Sequence, residues 1–251
     1  MERNRLVFSD HVRWYQTALI KALETSPGER TIHAFLKRHP QLLVTAFNYG
    51  WNHIFLVSEF QLGTTLRADF VLFGGYSGGW SVRFIELEPV NARLYLKNGT
   101  PSKELRLAMT QISDWREYVR VNEAHLRNEL SRVMVSKNIY QVRHRTVSRF
   151  LEKEMRDPQD SVEWHAHIVI GRRNDLTADE QRRRTRGHSF IDAEIATYDR
   201  LVDIAARLDS AERQLIAHKR KLGREATPTE AITLHGHRVL VQNRNCSRPS
   251  V

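Results

Sequence analysis

Three carboxylates stand inside apolar segments of the chain, where a charged side chain is costly to bury. Asp69 lies in the segment LRADFVLF, and Glu86 and Glu88 lie two residues apart in VRFIELEPV. A buried carboxylate needs a hydrogen bond, an opposite charge or a bound cation. Mg²⁺ prefers oxygen ligands and often takes one or two carboxylates together with water and a substrate phosphate. The three acids therefore predict a site for Mg²⁺ or Mn²⁺.

The two apolar segments predict an antiparallel hairpin with a glycine-rich turn at residues 74–79. Side chains alternate between the two faces of a strand, so Glu86 and Glu88 share one face. Folding the chain about this turn places Asp69 opposite Phe84 and diagonal to Glu86, at a separation of about 7–8 Å. One divalent cation could bridge the acids. In the alternative interpretation the acids form ion pairs on a solvated sheet face, with Arg67, Arg83 or Arg93.

Hydrophobic periodicity predicts an α/β fold in which helices flank a central mixed sheet. Helical spacing extends over residues 9–24, 29–39, 102–120, 122–135, 144–155 and 197–221, and strand patterns over 54–62, 163–172 and 190–196. Ser102 is a predicted N-cap, and Pro40 should end the second helix at His39. Thr177 and Glu180 form a capping box that opens a further helix carrying the basic run QRRRTR.

Size, charge and cysteine content restrict the class of protein. We divide the 251 residues into a helical extension (1–24), a core domain (25–222) and a loosely docked polar tail (223–251). No apolar run approaches the roughly 18 residues that span a bilayer, and the single Cys246 excludes a Cys-rich zinc site. We therefore expect a cytoplasmic protein without a membrane partner. The net charge of +10 favours a polyanionic partner such as nucleic acid.

The predicted order of elements resembles the core of the PD-(D/E)XK nucleases. The resemblance implies that acids on an antiparallel strand pair bind Mg²⁺, and that a lysine two residues after the glutamate helps to activate water. Asp69, Glu86 and Glu88 occupy the matching positions, with Ala68 in place of the eponymous proline. Glu88 stands where the lysine would be, which leaves the water-activating group open. A lysine could arrive from elsewhere, with Lys97 and Lys103 as the candidates.

Longer segments resemble the nuclease domain of Shedu anti-phage defence proteins. The matching runs are ERTIHAFLKRHPQLL, SEFQLGTTLRADFVLF, IELEPVNARLYLKNGTPSKELRLAMTQISDWREYV and IDAEIATYDRLVDIAARL. They cover roughly residues 25–210, and the phrases at 111–115 and 197–199 are more specific than the acids. The resemblance implies a restriction-endonuclease-like core and a metal-dependent DNA endonuclease of bacterial immunity that acts as a homo-oligomer.

Within this interpretation Asp69 and Glu86 bind the metal, and Glu88 is a further ligand or the base that positions the water. Gln111 lies on the flank of the long predicted helix that faces the sheet, where it could reach the metal-bound water or the phosphate. A surface glutamine beside an apolar stripe is the alternative. The candidates for contacts with DNA phosphates are Arg182, Arg183, Arg184 and Lys103.

Other polar residues are interpreted more simply. Glu59 is predicted to be a salt-bridged acid, and Glu29 an acid favoured by the dipole at a helix start; a further metal ligand is the alternative for each. His165 and His167 share one face of a strand at a spacing that can bind zinc, but the sequence indicates no further ligands. Since Glu88 departs from the usual lysine, the alternative function is a catalytically inactive nuclease-fold module that binds nucleic acid or a partner protein.

Overall fold

The computed structural model contains a six-stranded mixed sheet with helices on both faces. It describes residues 14–25, 28–48, 51, 53–76, 78–136, 139–142, 149–191, 193–221, 231–234 and 237–240. The helices are α1 (Trp14–Thr25), α2 (Glu29–Arg38), α3 (Gln41–Phe47), α4 (Lys103–Met134), α5 (Arg149–Arg156), α6 (Ala178–Ile191) and α7 (Tyr198–Lys221). The strands are β1 (His53–Leu62), β2 (Leu66–Tyr76), β3 (Gly79–Leu87), β4 (Tyr140–Val142), β5 (Ser161–Val169), β6 (Ala193–Ala196), β7 (Ala231–Leu234) and β8 (His237–Leu240).

The order of strands in the sheet is β4-β1-β2-β3-β5-β6, and β7 and β8 form a separate antiparallel pair. β4, β1, β2 and β3 pair antiparallel, whereas β3, β5 and β6 are parallel. Parallel strands need crossover connections, which helices supply here between β3 and β5 and between β5 and β6. The predicted α/β fold with a mixed sheet flanked by helices is confirmed.

Each face of the sheet has its own apolar core. One core lies between the sheet and helices α4 and α5, and includes Ile112 and Trp115 of α4. The other lies beneath α1, α2, α3 and α7, and includes Phe35 of α2 and Leu201 of α7. Because both faces are covered and β3 lies between β2 and β5, all nine residues of β3 are buried. A carboxylate on β3 is therefore held in the interior.

The register of the predicted hairpin was wrong by two residues. Phe84 pairs with Val71 rather than lying opposite Asp69, and the ladder runs from Phe70–Ile85 to Tyr76–Gly79. Gly74 belongs to the strand instead of the turn. It is a glycine because a Cβ atom at this position would lie 2.4 Å from the His53 carbonyl oxygen and from the Trp51 ring.

Some predicted elements also differ from the structure. The helices predicted over 102–120 and 122–135 form one helix, α4, with non-helical dihedral angles at Asn122, where the two predictions meet. The strand predicted over 190–196 is β6 alone, because α6 extends to Ile191. The strands β7 and β8 lie within the predicted polar tail, for which the sequence predicts no strand. The first residues of the helices predicted at 9–24 and 144–155 lie outside the described residues.

The capping predictions are confirmed. Ser102 accepts a hydrogen bond from the Leu105 backbone at 3.1 Å, and α2 ends at Arg38 with His39 as its C-cap. Thr177 Oγ1 accepts from the Glu180 backbone N–H at 3.3 Å, and a Glu180 carboxylate oxygen accepts from the Thr177 N–H at 2.7 Å. Among the described residues no helix is long and apolar enough to cross a membrane.

Candidate functional site

The site is built where β2 begins and β3 ends. The last pair of the ladder is Phe70–Ile85, and extending the register by one residue brings Asp69 level with Glu86. Asp69 does not continue the ladder through its backbone. Its Oδ2 atom accepts a hydrogen bond from the Leu87 N–H at 2.8 Å. The side chain thus takes the place of a backbone acceptor and lies along the sheet.

A local irregularity directs Asp69 in this way. Ala68 and Val71 pack in the same core although they are three residues apart, which regular alternation forbids. On β1 the level of Asp69 is occupied by Glu59, whose φ of 57° lies in the left-handed region. The regular alternation of side chains between the two faces of the sheet is therefore interrupted at Glu59 on β1 and at Asp69 on β2.

Glu86 is the most deeply buried acid of the site. Its side chain emerges from β3 toward α4, and its residue exposure is 9%. The Oε2 atom is buried and has no hydrogen-bond partner. Burial, together with the charges of Asp69, Glu88 and Glu29, raises the pKa of Glu86 to about 9, while a hydrogen bond from Gln111 acts in the opposite direction. A buried carboxylate oxygen without a donor is suited to bind a cation.

Glu88 follows β3 immediately and lies at the same edge. Burial and the charges of Glu29, Asp69 and Glu104 raise the pKa of Glu88 to about 7. Its backbone N–H donates to the Val169 carbonyl at 2.9 Å, and its carbonyl oxygen accepts from the Tyr198 hydroxyl at 2.8 Å. The peptide is thus held by the elements that follow β5 and β6, at the carboxyl edge where open α/β sheets bind ligands.

Glu29 joins the three predicted acids from the first residue of α2. Burial and the charge of Asp69 raise the pKa of Glu29, and Glu29 in turn raises the pKa of Glu86 and Glu88. The sequence signal was an acid in the first turn of a helix, which by itself indicates only a favourable dipole. We call Glu29, Asp69, Glu86 and Glu88 the carboxylate cluster.

An imidazole, a guanidinium and an amide border the carboxylate cluster. His33 lies one turn after Glu29 on α2, with Nε2 3.4 Å from the Asp69 carbonyl oxygen. Burial raises the pKa of Asp69, and the hydrogen bond from Leu87 opposes this effect more than the charges of His33 and Arg67 do. Gln111 donates from Nε2 to the Arg67 carbonyl at 3.2 Å and also interacts with Glu86. The structure therefore brings the predicted Gln111 to the predicted acids.

The donor set of this cluster is composed of oxygen atoms. Within the described part of the chain, no three His, Cys, Asp or Glu side chains converge closely enough to hold a metal ion. Two carboxylates, those of Asp69 and Glu86, do lie close to each other at the strand ends, and the Oε2 atom of Glu86 has no hydrogen-bond partner. Mg²⁺ and Mn²⁺ accept one or two carboxylates with other oxygen ligands, so the residues present fit such an ion better than zinc.

The predicted basic residues lie on separate elements. Lys103 is the exposed first residue of α4, and Lys97 is exposed in the preceding loop. Arg182 is exposed on α6 and pairs with Asp179. The Arg183 guanidinium lies against Gly99, so α6 packs on the loop that connects β3 to α4. Exposed cations thus flank the loop that begins at Glu88.

Arg184 differs from Arg182 and Arg183 because its guanidinium is hydrogen-bonded to the backbone of β6. Its Nη1 atom donates to the Ile195 carbonyl at 3.1 Å. The next carbonyl, that of Ala196, accepts from the N–H of Ile170, directly after β5, so the Ile195 carbonyl points to the opposite, outer edge of β6. Burial lowers the pKa of Arg184, with Arg173 as the next cause. Arg184 therefore covers an edge strand, a role that the basic run did not reveal.

His167, the buried histidine of β5, forms part of an ionic network. His167 Nε2 lies 3.2 Å from Arg83 Nη1, and its Nδ1 lies 3.0 Å from Glu194 Oε2. Because arginine only donates, Nε2 accepts and Nδ1 carries the proton. Burial lowers the pKa of His167 to about 4. Burial opposes ionisation of Glu194, but His167 and Arg200 lower its pKa to about 2.

The predicted ion pair of Glu59 is present in the structure. Glu59 Oε2 lies 2.8 Å from Lys37 Nζ of α2, and this hydrogen bond lowers the pKa of Glu59. Glu59 is exposed and lies at the level of Asp69 on the neighbouring strand. It therefore borders the carboxylate cluster as a paired surface acid.

The fold and the site together define an α/β protein with a cluster of acids at the carboxyl edge of its parallel strands. The family model described as "Shedu protein SduA, C-terminal" matches residues 26–202, more than two thirds of the chain. The chain therefore belongs to the Shedu family, which suggests a role in anti-phage defence and is consistent with a nuclease. No curated protein matches the chain in a sequence comparison.

Proposed function

We propose that this protein is a metal-dependent DNA endonuclease of the PD-(D/E)XK type that acts in anti-phage defence. The observation that carries the proposal is the buried Oε2 atom of Glu86, which has no hydrogen-bond partner and lies among other carboxylates. Family membership supports the defence role. The net charge of +10 supports a polyanionic substrate.

Asp69 and Glu86 are the residues that would hold Mg²⁺ or Mn²⁺. A carboxylate-bound ion of this kind neutralises charge on a scissile phosphate and makes a bound water nucleophilic. The Asp69 carboxylate is oriented for this task by the Leu87 N–H, which fixes Oδ2. Glu86 is oriented by β3, because its backbone is paired with Ile168 of β5. Two rigid strands therefore present the two acids to one place.

Glu88 is our candidate for the group that accepts a proton from the attacking water. It lies two residues after Glu86 at the end of β3, close enough for its charge to act on Glu86, and a general base must lie near the water that it deprotonates. Gln111 is placed to orient the water or a phosphate oxygen, because its amide already reaches Glu86 from α4. No lysine is needed at position 88 in this arrangement.

We place the DNA backbone on the exposed cations beside the loop from Glu88 to α4. Arg182 and Arg183 of α6 and Lys103 of α4 flank this loop and would neutralise phosphates. Arg184 contributes indirectly, since its guanidinium is held by the Ile195 carbonyl. Such contacts position the duplex without reading its sequence.

A binding module without catalysis is the second candidate. It is favoured by the absence, among the residues that the structure describes, of three acids close enough to hold an ion, and by Glu88 in place of the motif lysine. Such a module would bind DNA or a protein through the same basic surface. The two candidates differ in whether divalent cations bind through Glu86.

The test is cleavage of supercoiled and linear DNA by the full chain with Mg²⁺, Mn²⁺ or EDTA. Glu86→Gln keeps the shape of the side chain and removes its charge, and Glu117→Gln is the matched control on an exposed, Arg120-paired acid. We expect metal-dependent cleavage by the wild type and the control and none by Glu86→Gln. Equal cleavage by Glu86→Gln, or no cleavage and no Mn²⁺ binding by the wild type, would contradict the proposal.

A further inference from the structure

Tyr198 links the start of α7 to the carboxylate cluster. The residue is completely buried, with 0% exposure, and its ring packs in the core beneath α1, α2, α3 and α7. Its hydroxyl donates to the Glu88 carbonyl at 2.8 Å, across 110 residues of sequence. The hydroxyl also lies near the carboxylate cluster, because burial and the charges of its four acids together raise the pKa of Tyr198.

The same corner of the sheet contains further backbone hydrogen bonds. The Glu88 N–H donates to Val169 at 2.9 Å, and the Tyr198 N–H donates to the Gly171 carbonyl at 3.1 Å. The Gly171 N–H donates to Pro89 at 3.3 Å. These bonds join the segments that follow β3, β5 and β6 into one closed set.

Gly171 shows how tightly this corner is packed. Its φ is 62°, and a Cβ atom there would lie 2.5 Å from the Ala92 carbonyl oxygen. The loop after β5 is therefore pressed against the loop after β3, with little room for either to move. Within the set, the Tyr198 hydroxyl is a side-chain donor, so its bond to Glu88 can be removed without changing the backbone.

We propose that Tyr198 is a positioning residue for the carboxylate cluster, because its hydroxyl fixes the peptide that carries Glu88 at the end of β3. The phrase Thr197-Tyr198-Asp199 thereby acquires a role at the site, although it lies far from the acids in sequence. Asp199 serves the neighbouring loop, since its carboxylate binds Arg172 of the segment after β5. The inference rests on the proposed function for its metal and cleavage readouts.

The test compares the full chain with Tyr198→Phe, which removes one oxygen and keeps the ring. Tyr118→Phe is the matched control, because Tyr118 packs on the turn at Gly63. The readouts are the Mg²⁺ concentration for half-maximal cleavage, the Mn²⁺ affinity by calorimetry, and hydrogen exchange of the Glu88 amide. We expect Tyr198→Phe to raise the Mg²⁺ concentration for half-maximal cleavage, and to lower the Mn²⁺ affinity, by about tenfold. Loss of a hydrogen-bond partner outside the metal ligands typically has an effect of this size. We also expect faster exchange at Glu88, and neither change in the control.

A rescue variant separates the donor role from packing. Replacing Tyr198 with 4-aminophenylalanine retains an N–H donor at the same place, so we expect it to restore both readouts. Wild-type metal dependence and exchange in Tyr198→Phe, or a rescue variant that behaves like Tyr198→Phe, would overturn the inference. If the wild type neither cleaves DNA nor binds Mn²⁺, the proposed function fails, and the exchange of the Glu88 amide alone decides the role of Tyr198.

Discussion

The Oδ2 atom of Asp69 lies 2.8 Å from the backbone nitrogen of Leu87 and accepts its hydrogen bond. An acid that serves β3 in this way has two effects on the fold. It satisfies a backbone donor at the point where the ladder with β2 ends. It also places negative charge beside Glu86, whose pKa it raises. The stabilising bond and the destabilising charge reside in one side chain.

Two substitutions of Asp69 separate these effects. Asp69→Asn retains an oxygen acceptor for Leu87 and removes the charge, whereas Asp69→Ala leaves the buried N–H without its partner. We expect Asp69→Asn to have a free energy of unfolding about 1–3 kcal/mol higher than Asp69→Ala, the usual cost of an unsatisfied buried group. Urea unfolding in EDTA measures both values. Equal stabilities would show that the hydrogen bond contributes nothing, and we expect neither variant to cleave DNA.

The raised pKa of Glu86 predicts a pH-dependent stability in the absence of divalent cations. The folded state binds this proton up to about pH 9, whereas the unfolded chain releases it near pH 4.5. The stabilisation is therefore complete below pH 4.5 and is lost as pH rises toward 9. Glu86→Gln cannot ionise at this position and should not lose this stability. The free energy of unfolding of the variant minus that of the wild type should therefore increase as pH rises from 4.5 to 9.

We expect this increase to exceed about 1 kcal/mol by pH 9, because one pKa unit corresponds to about 1.4 kcal/mol. Urea unfolding at pH 5, 7 and 9 in EDTA gives the difference directly. Glu117→Gln is the control, since Glu117 is exposed and its replacement should shift stability equally at each pH. Stability differences for Glu86→Gln that do not change with pH would be inconsistent with a buried, proton-binding carboxyl.

Divalent cations should stabilise the folded protein through the same residue. Bound Mn²⁺ neutralises the charge that burial makes unfavourable, and ligand at about 100 times its dissociation constant adds about 2.7 kcal/mol. We expect Mn²⁺ at pH 8 to raise the melting temperature of the wild type and to have little effect on Glu86→Gln. The comparison uses differential scanning fluorimetry with EDTA as the reference. An identical rise in both proteins would place the ion elsewhere.

The basic run of α6 should divide into structural and phosphate-binding residues. Arg184→Ala removes a donor to the edge of β6, and we expect it to lower the free energy of unfolding by about 1 kcal/mol. Arg182→Ala should leave stability unchanged and reduce the slope of DNA affinity against salt by about one. Fluorescence anisotropy at several salt concentrations measures the slope. An unchanged slope would assign Arg182 to solvent alone.

The sequence predicted the types of the elements better than their alignment. Alternating apolar residues fix the existence of β2 and β3, but the glycines at 74 and 75 resemble a turn, which shifted the predicted register by two residues. Their actual role depends on Trp51, whose ring occupies the space where a Cβ of Gly74 would lie. That contact joins segments more than 20 residues apart in sequence and leaves no local signal.

The same reason explains which site residues were predicted. Asp69, Glu86 and Glu88 were found because acids in apolar strands conflict with local expectation. Glu29 and Tyr198 do not conflict with local expectation, because an acid is common at a helix start and an aromatic residue is common in a core. Only the fold shows that both lie beside the predicted acids. Arg184 was also misjudged, because it follows two exposed arginines in the same run and nothing in the sequence indicates its contact with β6.

The four acids of the cluster all come from the first 88 residues, whereas the hydroxyl that holds the Glu88 peptide comes from Tyr198. A ribosome therefore completes every carboxylate more than a hundred residues before it supplies this hydroxyl. A nascent chain of this length carries the acids without the strands β5 and β6 beside them. The contact that completes this corner of the site therefore becomes available only after most of the chain has been synthesised.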